Sequence, residues 1–296
     1  GRPVMDAAVE PTRARLPRVT RPRIRIGEIL LSMGALSEAD LQKVLAAHLD
    51  RGEPFGKVAV QLKLITESEL RQALAQQFTY PIARIGESAL SPTLAAAYEP
   101  FGPYAESLRT LRSQLLMRWM GEHDCTLAVC SARSGEGCST LAANLAIVFA
   151  QLGERTLLVD ANLRNPVQHH LFGLGECDGL TDLIKGCCRT EKALRKVAQF
   201  ECLNVLTAGT PPPNPQELLS RLPFAQLLDE MSNRYDVIII DTPPLLEYAD
   251  GQIIAARARG CLLGTRRNST RLQDIARMKS QLDPNLTHVL GTVISG

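Results

Sequence analysis

The stretch Ser131-Ala-Arg-Ser-Gly-Glu-Gly-Cys-Ser-Thr140 decides the fold. An apolar run from Thr126 to Cys130 leads into it, and Leu141, Leu145, Val148, Phe149 and Leu152 lead out of it at helical spacing. Strand, glycine-rich turn and helix in that order make a phosphate-binding loop: successive backbone N–H groups can point at one anion, and the positive end of the helix reinforces them. Ser134, Gly135, Glu136, Gly137, Cys138, Ser139 and Thr140 are the candidate nucleotide-binding residues.

Cys138 stands where such loops carry a lysine. A lysine there adds a positive charge that follows the phosphate oxygens into the transition state, worth on the order of 4 kcal/mol at about 4 Å and an effective dielectric near 20. A thiol supplies no such charge. The sequence therefore predicts weakened nucleotide binding and impaired phosphoryl transfer unless another cation substitutes, and Arg133 is the nearest. A thiol at a helix N-terminus is also expected to have a lowered pKa, which leaves a reactive cysteine and an inert one both open.

Composition narrows the classes around this loop. The chain has 296 residues with an apolar fraction of 45%, ordinary for a folded chain with one large and one small domain. Its formal net charge is +2, so the overall balance argues against a nucleic-acid partner. Residues 1–22 are the exception, an arginine-rich, proline-containing stretch without apolar periodicity that reads as a disordered basic arm. No signal-like segment and no apolar run long enough to span a bilayer is present, so a cytoplasmic location is expected. The eight cysteines show neither metal-ligand nor paired spacing and read mostly as small buried hydrophobes.

Residues 23–85 contain an internal repeat. The segment starting at Arg25 and reaching Leu41 recurs from Pro54 to Leu70, with Gly27 matched by Gly56. Each copy reads as helix, turn, helix. The second helices open on capping signals, Ser37 with Asp40 and Thr66 with Glu69, and continue with apolar faces at Leu41, Val44, Leu45 and Leu70, Ala73, Leu74. A small all-α repeat domain is expected there, followed by a proline-bearing linker over 86–103. The repeat resembles the N-terminal domain of type II secretion and pilus assembly ATPases. That resemblance rests on Arg25, Gly27, Leu30, Leu31, Gly34, Leu36, Leu41 and Leu45 in the first copy and Gly56, Val60, Leu64, Ile65, Leu70, Leu74 and Gln77 in the second. It implies cyclic di-GMP as a ligand, but Pro54 stands at the second arginine position and Lys63 at a glycine, which favours a protein-interaction or structural role.

From 104 to 296 the strand starts near Thr126, Arg155, Leu203, Asp236, Gly260 and Thr287 alternate with helical stretches such as 216–233 and 271–281. An α/β domain follows, a parallel sheet with helices on both faces and its ligand at the strands' C-terminal ends. Three further motifs join the loop: Glu106, Arg109 and Arg112 at i+3 spacing; Leu157-Leu-Val-Asp160-Ala-Asn162-Leu-Arg164; and Val237-Ile-Ile-Ile-Asp241-Thr-Pro-Pro244. With them the domain resembles the bacterial P-loop tyrosine kinases of exopolysaccharide chain-length control and export.

The resemblance implies ATP and Mg²⁺ as cofactors, with Ser139, Asp160 and Asp241 at the metal. It also implies Asp160 and Arg164 as catalytic residues and Glu106, Arg109 and Arg112 as the ring-forming motif of a homo-oligomer. The partner would be a membrane polysaccharide co-polymerase or export protein, through which the chain would sit at the inner membrane. Cys138, Asn162 for a second acid, Ser295 for an asparagine near the base, and Gly264-Thr265 interrupting an apolar strand depart from the family pattern. The last tyrosine of the sequence is Tyr248, so no closing tyrosine cluster is present. Two readings stay open: a protein-tyrosine kinase of reduced activity, and a non-catalytic regulator or scaffold that keeps the fold.

Overall fold

The computed structural model describes residues 25–78, 80–83, 86, 88–120 and 125–296, so the basic arm expected over 1–22 lies outside the described residues. The chain divides into two compact units between Phe78 and Thr79.

The first unit comprises α1 (Ile26–Ser32), α2 (Glu38–Arg51), α3 (Phe55–Gln61) and α4 (Glu67–Phe78). Both capping signals act as the spacing predicts. Ser37 Oγ accepts from Asp40 N at 3.2 Å, and Thr66 Oγ1 accepts from Glu69 N at 3.2 Å while Glu69 Oε2 accepts from Thr66 N at 2.7 Å. The matched glycines let each copy close on itself. A Cβ on Gly27 would lie 2.8 Å from Leu41 Cδ1, and one on Gly56 would collide with Leu70 Cδ1, the leucine matched to Leu41. Helix α1 packs on α4 and α2 on α3 around Leu30, Val44, Val58, Ala59 and Ala73, all fully buried. Leu45, expected on the packed face, is exposed, because that core closes on Val44.

The second unit begins earlier than the sequence suggests. Residues 88–102 are not a linker, because they are built into the second unit. Leu94, Ala96 and Ala97 are fully buried, Ala83 N donates to Ala97 O at 2.9 Å, and the buried Asn144 side chain accepts from Ala96 N at 2.9 Å and donates to Thr93 O at 3.2 Å. Prolines there mark turns between packed segments, including the short helix α5 (Ala95–Tyr98).

After α6 (Pro103–Arg118) come β1 (Thr126–Ser131), α7 (Cys138–Leu152) and β2 (Thr156–Asp160). The connection to the far edge of the sheet runs through α8 (Gln168–Leu171), α9 (Leu180–Ile184), α10 (Thr190–Ala193), β3 (Leu194–Val197) and β4 (Phe200–Leu206). The chain then returns through α11 (Pro215–Ser220), α12 (Leu222–Arg234), β5 (Val237–Asp241), α13 (Asp250–Ala258), β6 (Gly260–Arg266), α14 (Leu272–Gln281) and β7 (His288–Ser295). Among the described residues the strands form one seven-stranded sheet in the order β3-β4-β2-β5-β1-β6-β7. All neighbours run parallel except β3, which is antiparallel to β4.

Central strands buried on both faces account for the apolar runs in β1, β2 and β5. One face is covered by α6 and α7, whose residues 141–150 are all buried, and the other by α12 and α13. The helical stretch expected over 216–233 breaks at Arg221, which takes the extended conformation (ψ 155°) ahead of Pro223, a residue with no N–H to continue a preceding helix. Gly264 and Thr265 do not interrupt β6. Gly264 pairs with Ser131 and Val293, and the Thr265 hydroxyl donates to Val293 O at 3.1 Å, which satisfies it inside the sheet.

Candidate functional site

The register of the central strands assembles the site. Asp160 at the end of β2 lies opposite Asp241 at the end of β5, and Asp241 lies opposite Val129 in β1, so both carboxylates meet at the base of the loop that leaves β1. Gly135 (φ +82°) and Gly137 (φ +81°) take left-handed conformations, and α7 starts at Cys138, two residues before the expected start. Gly135, Glu136, Gly137 and the first turn of α7, Cys138, Ser139 and Thr140, form the mouth of the loop. They line a cavity of about 540 Å³ together with Asn162, Arg164, Asn165, Thr242, Glu247 and Tyr248. A larger cavity of about 840 Å³ runs along α6 and β7 past Trp119 and Leu290, and its lining contains no loop residue and no acidic group.

The loop is held from outside by acids. Glu136, expected only as a loop residue, folds back so that Oε2 accepts from Ala132 N at 2.8 Å and Arg133 N at 2.9 Å while Oε1 accepts from the Thr270 hydroxyl at 2.5 Å. Glu247 Oε1 accepts from Ser134 N at 3.2 Å. Arg266 Nη1 donates to Gly135 O at 3.2 Å.

Arg133 does not replace the missing lysine. Its guanidinium pairs with Asp274, Nε to Oδ2 at 3.2 Å, and that carboxylate is lowered chiefly by this hydrogen bond. Cys138 turns away from the cavity into the core, with Sγ donating to Val129 O at 3.0 Å. Burial first, and then the nearby Asp241, push its thiol pKa well above the ordinary value. Of the two readings open for this thiol, burial and the Val129 contact favour the inert one, because desolvation outweighs the helix end.

The floor is acidic and fully buried. Asp160 Oδ2 accepts from Val167 N at 3.0 Å and Gln168 N at 2.9 Å, and Asp241 Oδ2 accepts from Gln168 Nε2 at 2.8 Å. The remaining oxygens, Asp160 Oδ1 and Asp241 Oδ1, have no hydrogen-bond partner among the described residues. Burial raises Asp241 to about 6 against the pull of Gln168 and Ser139, and burial together with the Asp241 charge raises Asp160 well above the carboxylate range. Two unpartnered carboxylate oxygens next to the Ser139 hydroxyl match the oxygen set that a hard divalent cation takes alongside water, so these residues fit Mg²⁺.

Arg164 and Asn162 stand at the rim. Arg164 makes a two-pronged pair with the buried Asp250, at 2.6 and 3.1 Å, and lies 4.3 Å over the Tyr248 ring. Asn162 Oδ1 accepts from Asn165 N at 3.2 Å and so stabilises the turn after β2. Ser295 Oγ donates to Thr265 O at 3.0 Å. The Glu106, Arg109 and Arg112 motif splits. Exposed Glu106 pairs with the partly buried Arg109, which also donates to Pro100 O, whereas Arg112 is buried with Nη1 donating to Val148 O at 2.5 Å. Gln168, Glu247 and Thr270 were not singled out from the sequence, since each acts through contacts between segments far apart in the chain.

The model of the AAA domain family matches residues 125–259. Tyrosine-protein kinase YwqD of Bacillus subtilis (strain 168) is 37% identical over 71% of this chain and 88% of its own length. Tyrosine-protein kinase wzc of Salmonella typhi is 31% identical over 68% of this chain and 28% of its own length. Among solved structures, the kinase domain of Escherichia coli tyrosine kinase ETK superposes with a TM-score of 0.67 at 28% identity, covering 72% of this chain and 84% of that one. Among the described residues no helix is long and apolar enough to cross a membrane.

Proposed function

Because the chain belongs to the bacterial tyrosine-protein kinase family, we propose that it binds Mg²⁺-ATP in the loop cavity and serves exopolysaccharide chain-length control or export as a kinase-like protein with weakened phosphoryl transfer. The orientation of Cys138 carries this reading: its thiol is hydrogen-bonded to Val129 O inside the core, so the position that should face the phosphates presents no charge. Asp160, Asp241 and the Ser139 hydroxyl would hold Mg²⁺, which when bound supplies charge neutralisation at the phosphates. The loop amides would orient the triphosphate, and Asp160, at the end of β2 opposite Asp241, would take the proton of an attacking hydroxyl. Arg164 is fixed at the rim by Asp250 and closes the acceptor side. An effect of about 4 kcal/mol from the missing charge corresponds to roughly a thousandfold in rate.

A second reading, a non-catalytic regulator or scaffold beside a membrane polysaccharide co-polymerase, is favoured by the engagement of Arg133 with Asp274 and of Arg164 with Asp250. In either reading the exposed Glu106, held by Arg109, serves assembly of copies, while Arg112 contributes by fixing α6 to α7.

Incubation with labelled ATP, Mg²⁺ and a tyrosine-bearing acceptor peptide tests the assignment against Cys138→Lys. Transfer is expected from the variant at about a hundredfold or more above the natural chain. Equal rates would remove the weakened-kinase reading, and no nucleotide binding by either protein would remove the nucleotide site.

A further inference from the structure

Gln168 is fully buried and touches every element that builds the floor of the cavity. Its Nε2 donates to Asp241 Oδ2 at 2.8 Å, at the end of β5, and to Ser139 O at 3.1 Å, in the first turn of α7. Its backbone N donates to Asp160 Oδ2 at 2.9 Å, at the end of β2. Both partners of the side-chain amide are pure acceptors, so its orientation is determined: turned over, it would set Oε1 against two oxygens.

The result is an asymmetry shared by the two acids. In each, Oδ2 is tied while Oδ1 has no hydrogen-bond partner among the described residues, and Gln168 Oε1 also lacks a donor there. Three buried acceptor oxygens on hydrogen-bonded neighbours, none with a proton to accept, form an acceptor surplus that protons or a cation must balance.

Resting on the nucleotide-binding reading above, we infer that Gln168 is a positioning residue for the divalent cation that accompanies the nucleotide: it holds Asp160 and Asp241 by one oxygen each, leaves the other oxygen of each for the cation, and ties both to the turn that carries Ser139. Groups that orient metal ligands in this way commonly change metal affinity by about 10- to 100-fold when removed. A residue that only filled space would change stability and leave the cation's contribution to nucleotide binding where it was.

Calorimetric titration with a non-hydrolysable ATP analogue, in excess MgCl₂ and in EDTA, separates these roles. For Gln168→Met, which keeps the length and loses both donors, the ratio of the two affinities is expected to fall by about 10- to 100-fold with the EDTA affinity unchanged. Gln168→Asn, whose amide is one methylene too short to span both partners, is expected to shift the ratio in the same direction and serves if the methionine variant does not fold. In an Asp241→Asn background, Gln168→Met is expected to add no further loss, because the two act through one hydrogen bond. An unchanged ratio in the single variants, a full additional loss in the double variant, or a natural chain that binds the analogue equally in both media would overturn the role of Gln168 and leave the nucleotide site standing. A natural chain that binds in neither medium would overturn both.

Discussion

On the outer wall of the loop cavity the positive groups are spoken for, while on its floor the negative groups are left without counter-charge. Arg133 is paired with Asp274, Arg164 with Asp250, and Arg266 donates to the carbonyl of Gly135. Asp160 and Asp241 face each other with one unpartnered oxygen apiece. A lysine at 138 would bridge these two sides; with a cysteine there, facing the core, each side has to find its balance separately. The difference teaches that a phosphate-binding loop is defined less by the charges near it than by which charges remain available after folding.

The wall is the place for the largest stability effect. Glu136→Ala removes an acceptor from two backbone amides and from Thr270, leaving the amides of Ala132 and Arg133 unpaired beneath the loop. A loss of about 3 kcal/mol is expected in urea unfolding, and a loss near zero would mean that the wall does not hold the loop.

The floor is expected to respond with the opposite sign. A carboxyl raised from 3.8 to about 6 by burial lends its full stability below pH 3.8 and loses it as pH rises towards about 6, because the folded state retains the proton longer than the unfolded chain. Asp241→Asn is therefore expected to stabilise the cation-free chain at pH 8 by about 1–3 kcal/mol and to flatten the fall between about pH 4 and 6. The comparison is made between the two proteins at each pH, since the lowered carboxyls of Asp182 and Asp274 act with the reverse sign. Destabilisation by the substitution at pH 8 would show that the floor is already compensated.

The smallest effect belongs to the rim of the wall. Arg133 is half-exposed, so Arg133→Ala is expected to lower the melting temperature slightly at low salt and not at all at high salt. A salt-independent loss would place that pair deeper in the stability of the loop than its exposure allows.

Local signals in the sequence carried the loop, the strand ends and the repeat a long way. Ser131 to Thr140 reads as a strand–turn–helix junction without reference to anything distant, and the matched pairs Gly27/Gly56 and Leu41/Leu70 meet within their own copies. What escaped depends on partners far along the chain. Cys138 reads as reactive or inert alike at a helix end until β1 turns out to offer Val129 O as its acceptor. Arg112 shares the surface spacing of Glu106 and Arg109, but only the packing of α6 on α7 shows that it reaches Val148 O. Gln168 sits in a polar stretch with no motif, and its importance comes from two strands and a helix converging on one amide. The short antiparallel β3 escaped for another reason: its two middle residues, Arg195 and Lys196, are charged and exposed at the sheet's edge and leave neither an apolar run nor an alternation.

The embedding of residues 88–102 bears on how the protein can be dissected. A fragment starting at Pro103 would look natural from the helix boundary, yet it would strip Leu94, Ala96 and Ala97 from the back of α7 and leave the Asn144 amide without its partners at Thr93 and Ala96. The helix so exposed is the one whose first turn carries Cys138 and Ser139. Cutting at Thr79 instead keeps that backing in place, so a comparison of the two excised versions would report how far the grip on phosphate depends on a segment that never approaches it.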